Sequence, residues 1–333
     1  MIQINNSLNH SLPLKVGIVG TGYAANQRAQ TLQADSRSHL VAFSGHTPEK
    51  IEEFAQSHQA SPVDSWQELV ADSQIDLLFI CTVNRDHGAI ARAALEAGKH
   101  VVVEYPISLD PQEAESIIAL AQAKDKLLHV EHIELLGDLH QALRQFLPHI
   151  GNPFYARYIT IVPRQPAPVR WTYHRQLFGF PFKAALPHIH RLTNLFGDVI
   201  SVSGQSRFWG DSDYYKACLC NAQLRFASGL IGEVTYAKGE TFWQRLRRFE
   251  VHGEEGTLVF EGEQGFLIRG EEKKQIEVEG RRGLFVKDTN MVLDHLVEGK
   301  PLYVSPASSC YALKVAEALR QSAEIGEVVK LPV

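Results

Sequence analysis

A short glycine turn near the start of the chain has the composition of a phosphate-binding site. An apolar run over 15–19 predicts a strand, and Gly20-Thr21-Gly22 predicts a tight turn. Apolar residues at three- and four-residue intervals over 25–32 predict a helix. The first glycine permits the turn, the second lets a pyrophosphate approach the backbone, and the small Ala25 allows close helix packing. Because a helix N-terminus attracts anions, strand, turn and helix together predict a dinucleotide site.

The end of the second predicted strand indicates which dinucleotide is bound. A carboxylate about 20 residues beyond the glycine turn normally holds the adenosine ribose hydroxyls and would repel a 2′-phosphate. Here the strand ends Phe43-Ser44-Gly45-His46-Thr47, without an acid. Ser44, His46 and Thr47 can donate hydrogen bonds to a 2′-phosphate, although Ser44 and Thr47 can equally cap the next helix. We therefore predict NADPH as the cofactor, with NADH as the less favoured alternative.

The predicted cofactor contacts come from the turn and from the carboxyl ends of the following strands, where ligands bind in parallel sheets. They are Gly20, Gly22, Tyr23, Ala24, Ser44, His46, Thr47, Thr82, Asn84, His87 and Glu104.

Two patterns divide the chain into two domains. Strands and helices alternate over 14–134, which predicts an α/β, doubly wound parallel sheet of the Rossmann type. Over 135–333 long strands joined by turns predict an α+β domain with a large, mostly antiparallel sheet. A terminal helix over 306–324 is expected to be able to pack back on the first domain, and 1–13 to form an arm.

The bulk composition limits the classes of partner. The 333 residues are 44% hydrophobic and 21% charged, and their net charge of −5 gives no general attraction to nucleic acid or an anionic membrane. No cysteine has metal-ligand spacing to a histidine or another cysteine, so reduced thiols and no metal site are expected. The start of the chain lacks the pattern of a secretory signal. We expect a cytoplasmic protein, a monomer or homodimer, that binds a small molecule.

A wider resemblance follows from three segments: Val16–Ala25, the run from His87 to Gly98-Lys99-His100-Val101, and Glu104-Tyr105-Pro106. Together they resemble the glucose-fructose oxidoreductase/inositol dehydrogenase superfamily. Most of its members have Glu-Lys-Pro at the third segment, and the lysine serves alcohol–ketone chemistry. Their histidine and aspartate before Leu-x-Gly fall here at Pro187 and His190. These departures argue against a polyol dehydrogenase.

Further segments resemble one branch of this superfamily, the biliverdin reductases, and especially the cyanobacterial type. They are Val103–Pro106, His129–Leu136, Arg170–Tyr173, Phe178–Pro181, Arg191–Thr193 with Leu195–Gly197, and Arg282–Phe285. The resemblance implies NADPH-dependent reduction of biliverdin IXα to bilirubin at the C10 methine bridge. A reductase of another substrate such as a sugar or imine, and a non-catalytic sensor of NADPH or a bilin, remain alternatives.

That reaction needs a proton at a pyrrole nitrogen as well as a hydride at C10. Tyr105 is placed to contact the tetrapyrrole or to order a water, or else only packs. Glu131 or Glu134 can hold pyrrole N–H groups and His132 can relay a proton, although at least one of them is expected to be structural. The related enzymes have an arginine where this chain has His188. Either His188 donates the proton, which we prefer, or water does and Arg191 anchors a propionate.

The remaining substrate contacts follow from the needs of a flat, dianionic pigment. Basic residues of a proline-rich loop and of one strand can bind the propionates, and aromatic residues of the loop can line the slot. Alternatively, the basic residues form a solvated face and the aromatic residues form the core beneath the loop. Asp288 is expected to cap its helix, and the resemblance implies that it borders the pigment. The predicted substrate-binding set is Tyr105, Glu131, Glu134, Arg170, Trp171, His174, Phe180, Arg247 and Asp288.

Overall fold

A computed structural model describes residues 12–278 and 280–332, so most of the predicted arm lies outside the described residues. The contacts divide the chain into two compact units. The first unit holds the chain up to Ile133 together with Gly283–Cys310, and the second holds Glu134–Arg282 with the chain from Tyr311 onward.

The strands follow the predicted order. In chain order they are β1 Leu14–Val19, β2 Ser38–Ser44, β3 Ser61–Val63, β4 Leu77–Ile80, β5 His100–Glu104, β6 Leu128–Glu131, β7 Pro153–Pro163, β8 Val199–Trp209, β9 Ala217–Phe226, β10 Ile231–Gly239, β11 Leu246–Gly253, β12 Gly256–Glu261, β13 Gln264–Arg269, β14 Glu272–Glu277 and β15 Val329–Lys330.

The helices alternate with the strands of the first sheet and are fewer afterwards. They are α1 Tyr23–Gln33, α2 Pro48–His58, α3 Trp66–Ala71, α4 His87–Glu96, α5 Pro111–Ala123, α6 Asp138–Phe146, α7 Arg175–Phe178, α8 Pro181–Ala184, α9 Leu186–Phe196, α10 Leu284–Glu298 and α11 Pro306–Ile325.

The first unit contains the predicted doubly wound sheet. Its strands have the order β3-β2-β1-β4-β5-β6 and all pair in parallel. Every residue of β4 is buried, as a strand covered on both faces requires. The pattern of glycines, caps and apolar faces was therefore sufficient to predict this domain.

Helix α10 belongs to the first unit although the sequence-based division placed it in the second. Its Val292, Leu293 and Leu296 are buried in the same hydrophobic core as Ala25 and Leu32 of α1. Burying this apolar face stabilises the unit by removing it from water. The grouping depends on tertiary packing, which the alternation of strands and helices does not encode.

The second unit contains a nine-stranded sheet with the order β14-β13-β12-β11-β7-β10-β9-β8-β15. Its pairs are antiparallel except that between β7 and β10. The prediction of a mostly antiparallel sheet is confirmed. Within the described residues, no helix combines the length and apolarity that crossing a bilayer requires.

Two predicted caps differ from the structure. Helix α10 begins at Leu284 with Gly283 at its N-cap, so the expectation that Asp288 caps this helix is wrong. Thr47 is the N-cap of α2, as predicted, but its side chain makes no capping hydrogen bond. Its hydroxyl is therefore not used by the helix that it precedes.

Candidate functional site

The predicted site residues fall in both units. In the first unit, the glycine turn has the geometry that a phosphate cradle needs. Gly20 has φ +119°, and a Cβ there would lie 2.2 Å from the carbonyl oxygen of Cys81. Gly22 is the N-cap of α1 and offers no capping side chain, and a Cβ there would meet nothing within 4 Å. The start of α1 is thus uncapped and open, which suits an anion.

The two residues that follow this cap are less enclosed than the turn. Tyr23 is 74% exposed and contacts Phe285 edge-on, with ring centroids 5.9 Å apart. Ala24 is half-buried in the first turn of α1. Both lie beside the open end of the helix, as the prediction of cofactor contact requires.

At the end of β2, where NAD-binding sites have a carboxylate, any side chain would crowd two neighbouring side chains. A Cβ at Gly45 would lie 2.8 Å from Thr21 Cγ2 and 2.9 Å from Ile51 Cγ1. His46 and Thr47 are exposed, whereas Ser44 is only 4% exposed. His46 and Thr47 are therefore better placed than Ser44 to contact a 2′-phosphate.

The residues after β4 are used mainly by the protein itself. His87 is fully buried, and its Nδ1 and Nε2 lie 2.8 Å and 3.2 Å from the carbonyl oxygens of Pro106 and Thr82. Burial lowers the pKa of His87. Asn84 is buried, and Thr82 is half-buried. Both ring nitrogens of His87 face backbone carbonyl oxygens, so neither nitrogen is available for the predicted contact with the cofactor.

A buried arginine links the glycine-turn helix to the Glu-Tyr-Pro segment. Arg28 of α1 is fully buried, and its Nη2 donates to Glu104 Oε1 over 3.1 Å. Its Nη1 donates to a carboxylate oxygen of Asp288 and, over 2.8 Å, to Thr289 Oγ1. The ring of Phe285 lies 5.0 Å from the guanidinium. Arg28 thus fixes Glu104 and α10 to the helix that begins at the turn.

Asp288 is the second centre of this buried network. Its Oδ1 lies 2.8 Å from His129 Nε2 and accepts a hydrogen bond from the Tyr303 hydroxyl over 2.7 Å. Burial alone would raise the pKa of Asp288, but Arg28 and His129 outweigh it and hold the pKa below its usual range. Asp288 is fully buried and bound on both oxygens, so its predicted place beside the pigment does not fit.

Two carboxyl groups meet at the ends of neighbouring strands. Glu104 and Glu131 are partners in the parallel register of β5 and β6. Glu131 is 1% exposed, is hydrogen-bonded to Glu104, and its Oε1 accepts from Ile133 N over 2.6 Å. Burial, and then the charges of Glu104 and Asp288, raise the pKa of Glu131 well above its usual value. This shift favours the protonated form of Glu131 over the carboxylate that was predicted to hold pyrrole N–H groups.

Tyr105 and His132 form a stacked pair. Their ring centroids are 5.4 Å apart with an interplanar angle of 15°. His132 is 2% exposed, and its Nε2 lies 2.7 Å from Ser309 Oγ. Its backbone N–H donates to the Tyr303 hydroxyl over 3.0 Å. The structure therefore fixes His132 as the support of Tyr105, which is the more exposed partner of the pair.

The second unit gathers three arginines around one carboxylate. Glu134 lies 3.3 Å from Arg191 Nη2, 3.6 Å from Arg247 Nη2 and 2.6 Å from Arg281 Nη2. Burial alone would raise the pKa of Glu134, but the three guanidinium groups lower it. We call these four residues the arginine cluster. Its two excess positive charges suit a dianion, and Arg281 was not among the predicted residues.

His188 lies beside this cluster in a state that contradicts the predicted proton donor. It is 6% exposed, its Nε2 lies 2.7 Å from Thr160 Oγ1, and its ring packs on Tyr158 at 3.9 Å. Burial, and then the charge of Arg191, lower the pKa of His188 to about 3. At neutral pH the ring is uncharged and has no imidazolium proton to release.

Both terminal nitrogens of the Arg191 guanidinium are hydrogen-bonded within the protein. It is 1% exposed, Nη1 donates to the Tyr158 hydroxyl over 2.9 Å, and Nη2 donates to the Glu134 carbonyl oxygen over 2.7 Å. Tyr158 also accepts from Arg247 Nη2 over 3.3 Å. Arg191 therefore orders the arginine cluster, and Arg247 and Arg281 are its more accessible cations.

The proline-rich loop holds the remaining predicted contacts. His174 is the N-cap of α7, and its Nδ1 accepts from the amides of Gln176 and Leu177, so this nitrogen is unavailable to a propionate. Trp171 packs on Phe178 with ring centroids 5.7 Å apart. Arg170 is exposed.

Phe180, which follows this segment, is half-buried. The Nζ of Lys183 lies 4.9 Å from its ring centroid. Trp171 and Phe178 thus pack on each other, and Phe180 packs on Lys183. The exposed Arg170 can still contact an anion.

The buried network includes Arg28, His129 and Tyr303, which were not among the predicted site residues. Arg28 lies among Ala25, Ala29 and Leu32 on the buried face of α1, and an arginine in that stripe is a detectable signal. His129 and Tyr303 carry no such signal, because a histidine in a strand and a tyrosine in a loop are ordinary.

Comparison with known proteins identifies the family. Residues 14–132 match the model described as oxidoreductase family, NAD-binding Rossmann fold, and residues 148–331 match its C-terminal alpha/beta domain. Biliverdin reductase from Synechocystis sp. PCC 6803, crystallised with biliverdin and NADP+, is 53% identical to this chain. Its TM-score is 0.92, with 94% of this chain and 99% of that chain covered.

More distant relatives agree with this assignment. Biliverdin reductase A of Mus musculus is 26% identical over 283 residues, which are 85% of this chain and 85% of the relative. Myo-inositol 2-dehydrogenase of Thermotoga maritima is 23% identical over 96% of this chain and 98% of the relative. The chain therefore belongs to the NAD-binding Rossmann-fold oxidoreductase family and, within it, to the biliverdin reductases.

Proposed function

We propose that this protein reduces biliverdin IXα to bilirubin IXα by NADPH-dependent hydride transfer to the C10 methine carbon. The likeness to the Synechocystis enzyme, at 53% identity over 94% of the chain, carries this proposal. Tyr105, in place of the lysine that serves alcohol–ketone chemistry, also disfavours a sugar substrate.

NADPH supplies the hydride, and the first unit has the residues to hold it. The open start of α1 takes the pyrophosphate beside Gly20 and Gly22. His46 and Thr47 take the 2′-phosphate, which the glycine at position 45 does not repel as a carboxylate there would. A binding site built for the 2′-phosphate discriminates against NADH, because its donors are left unpaired without that group.

The arginine cluster is our candidate for propionate binding. Biliverdin has two propionates, and the cluster has two positive charges more than Glu134 neutralises. Arg247 and Arg281 are the members with exposed side chains, 37% and 56% respectively. Bidentate hydrogen bonds from a guanidinium group to a carboxylate are charge-assisted and directional.

We infer that the proton that reaches the pyrrole nitrogen does not come from His188. Because the pKa of His188 is lowered to about 3, the route through water that the sequence left open is the better proposal. Tyr105 is more exposed than the stacked His132, so its hydroxyl is our candidate for ordering that water or contacting the pigment. Arg191 holds the cluster rather than releasing a proton.

The test is to mix the protein with NADPH and biliverdin and to follow the change from green to yellow together with NADPH consumption. We expect one NADPH oxidised per bilirubin and a clear preference for NADPH over NADH. Binding of biliverdin without turnover would instead favour the non-catalytic sensor, and absence of binding would favour a reductase of another substrate. Comparable kcat/KM for both cofactors would refute the cofactor proposal.

A matched pair of variants tests the phosphate cradle. Gly20→Ala places a Cβ 2.2 Å from a backbone oxygen and is expected to abolish NADPH binding, whereas Gly98→Ala, with open space around its Cβ, is not. Both positions have positive φ, +119° and +79°, so the pair separates steric exclusion from backbone strain.

A cytoplasmic location and a monomeric or homodimeric state belong to the same proposal, and size-exclusion chromatography tests the oligomeric state.

A further inference from the structure

A buried lysine of the second unit is enclosed by aromatic rings. Lys238, on β10, is 6% exposed. Its Nζ lies 4.1 Å from the ring centroid of Phe178, 4.6 Å from that of Tyr173 and 5.5 Å from that of Tyr215. It donates a hydrogen bond to the Thr172 carbonyl oxygen over 2.6 Å. We call this arrangement the lysine cage.

The lysine cage joins the aromatic segment 171–178 to the middle of the sheet. Lys238 is the register partner of Val162 on β7 and of Cys218 on β9, so its backbone is held on both sides. The Thr172 carbonyl that it binds also accepts from the Tyr215 hydroxyl over 2.8 Å. A rigid strand thus carries the cation, and the loop supplies the carbonyl and two of the three rings.

The ammonium group is held without a paired acid. Among residues 12–278 and 280–332, no carboxylate lies within 4.0 Å of Nζ. A buried charge without a counterion is costly, and an apolar side chain of this length would avoid that cost. Desolvated cation–π contacts and a charge-assisted hydrogen bond are what the charge gains in return.

We propose that Lys238 is a positioning residue that holds the segment carrying Arg170, Trp171 and His174 in place for the tetrapyrrole, and that releases it when the ammonium loses its proton. This inference rests on the proposed function, since it concerns binding of the same pigment.

The groups around the lysine set the pH at which release occurs. Burial lowers the pKa of Lys238 to about 8, the nearby Cys218 opposes this shift, and Arg170 adds to it. Tyr173 and Tyr215 complete the titratable groups of the cage, and burial raises the pKa of each of them above its usual value. Lys238 therefore loses its proton before either tyrosine does, so the segment is held at neutral pH and released as the pH rises through about 8.

Hydrogen exchange of peptides covering 170–179 tests the hold directly. After correction for intrinsic rates, we expect exchange in the wild-type protein to be roughly 10-fold or more faster at alkaline than at neutral pH. Lys238→Met is expected to exchange fast at both. Lys216→Met, which removes a 67% exposed lysine paired with Glu240 over 3.5 Å, is the matched control and should resemble wild type.

Kinetics supply the second readout. In Lys238→Met we expect KM for biliverdin to rise about 10-fold, independently of pH, while kcat and KM for NADPH stay within about 2-fold. If that variant does not fold, Phe178→Leu removes one ring of the cage and is expected to give a smaller rise. If Lys238→Met exchanges at the wild-type rate at both pH values, the inference is overturned. It is also overturned if the KM values for biliverdin and for NADPH rise equally in this variant. If wild type does not reduce biliverdin, the proposed function fails, but the exchange comparison still decides whether Lys238 holds the segment.

Discussion

Replacing Arg28 with methionine is expected to destabilise the first unit strongly. The substitution preserves an unbranched side chain but removes the partner of Glu104 and of the fully buried Asp288. Removing one member of a buried ion pair typically costs about 3–5 kcal/mol, because the other charge stays buried without compensation. His129 and Tyr303 remain on Asp288 and limit the loss, since they still donate to its carboxylate.

The expected loss is measurable by thermal unfolding. For a unit of this size, about 3–5 kcal/mol corresponds to a Tm lower by roughly 6–20 °C. Arg37→Met is the matched control. Arg37 also bridges to α10, through Asp294 over 2.6 Å, but its side chain is 23% exposed. A partly exposed pair of this kind contributes about 0–1 kcal/mol.

A second substitution separates lost charge from lost packing. Asp288→Asn removes the unpaired charge and keeps an oxygen for His129 and Tyr303. We therefore expect Arg28→Met combined with Asp288→Asn to regain at least about 1–2 kcal/mol relative to Arg28→Met alone. Circular dichroism and NADPH binding would be measured for each variant. Equal Tm losses in Arg28→Met and Arg37→Met, or no recovery in the double variant, would refute the reasoning.

Three further substitutions test the charge states and the propionate site. Glu131→Gln should change the pH dependence of stability, because the pKa of the native carboxyl lies well above the value near 4.5 of the unfolded one. The free energy of unfolding of wild type therefore falls as pH rises above about 4.5, so the variant should gain stability relative to wild type over that range. An equal pH dependence of the two unfolding free energies in urea titrations would contradict this. His188→Gln should leave the pH profile of kcat between about 6 and 8 unchanged, since the pKa of His188 lies near 3; loss of an alkaline limb in the variant would restore His188 as donor. Arg247→Ala should raise KM for biliverdin about 10-fold by removing a charged hydrogen bond. Arg248→Ala, equally exposed at 37% but paired with Glu250 and Glu261, should not, and equal effects would contradict the propionate site.

Local rules made the first sheet and its glycine turn predictable. The requirement for positive φ at Gly20 and the buried run of β4 follow from residues within a few positions of each other. The partner of Arg28 could not be predicted in this way, because Asp288 is 260 positions distant. His188 shows the same limit: imidazole chemistry was evident from its type, but burial beside Arg191 decided its charge.

Glu131 and Glu134 show most directly why residue type does not determine a role in this protein. They are three positions apart at the end of the same predicted strand, and the sequence treats them as equivalent carboxylates. Glu131 is buried with Glu104 and Asp288, and its pKa rises. Glu134 meets three arginines, and its pKa falls. Environments that raise the pKa of one acid and lower that of another in this way distinguish a group that can carry a proton from one that stays an anion. The environment of Glu131 favours its protonated form, whereas that of Glu134 favours its anion. A propionate that binds at the proposed site on Arg247 and Arg281 would therefore compete with Glu134 for them. Because the Tyr158 hydroxyl still holds Arg191 and Arg247, Glu134→Gln should weaken this competition and lower KM for biliverdin, and a higher KM would contradict the proposed propionate site.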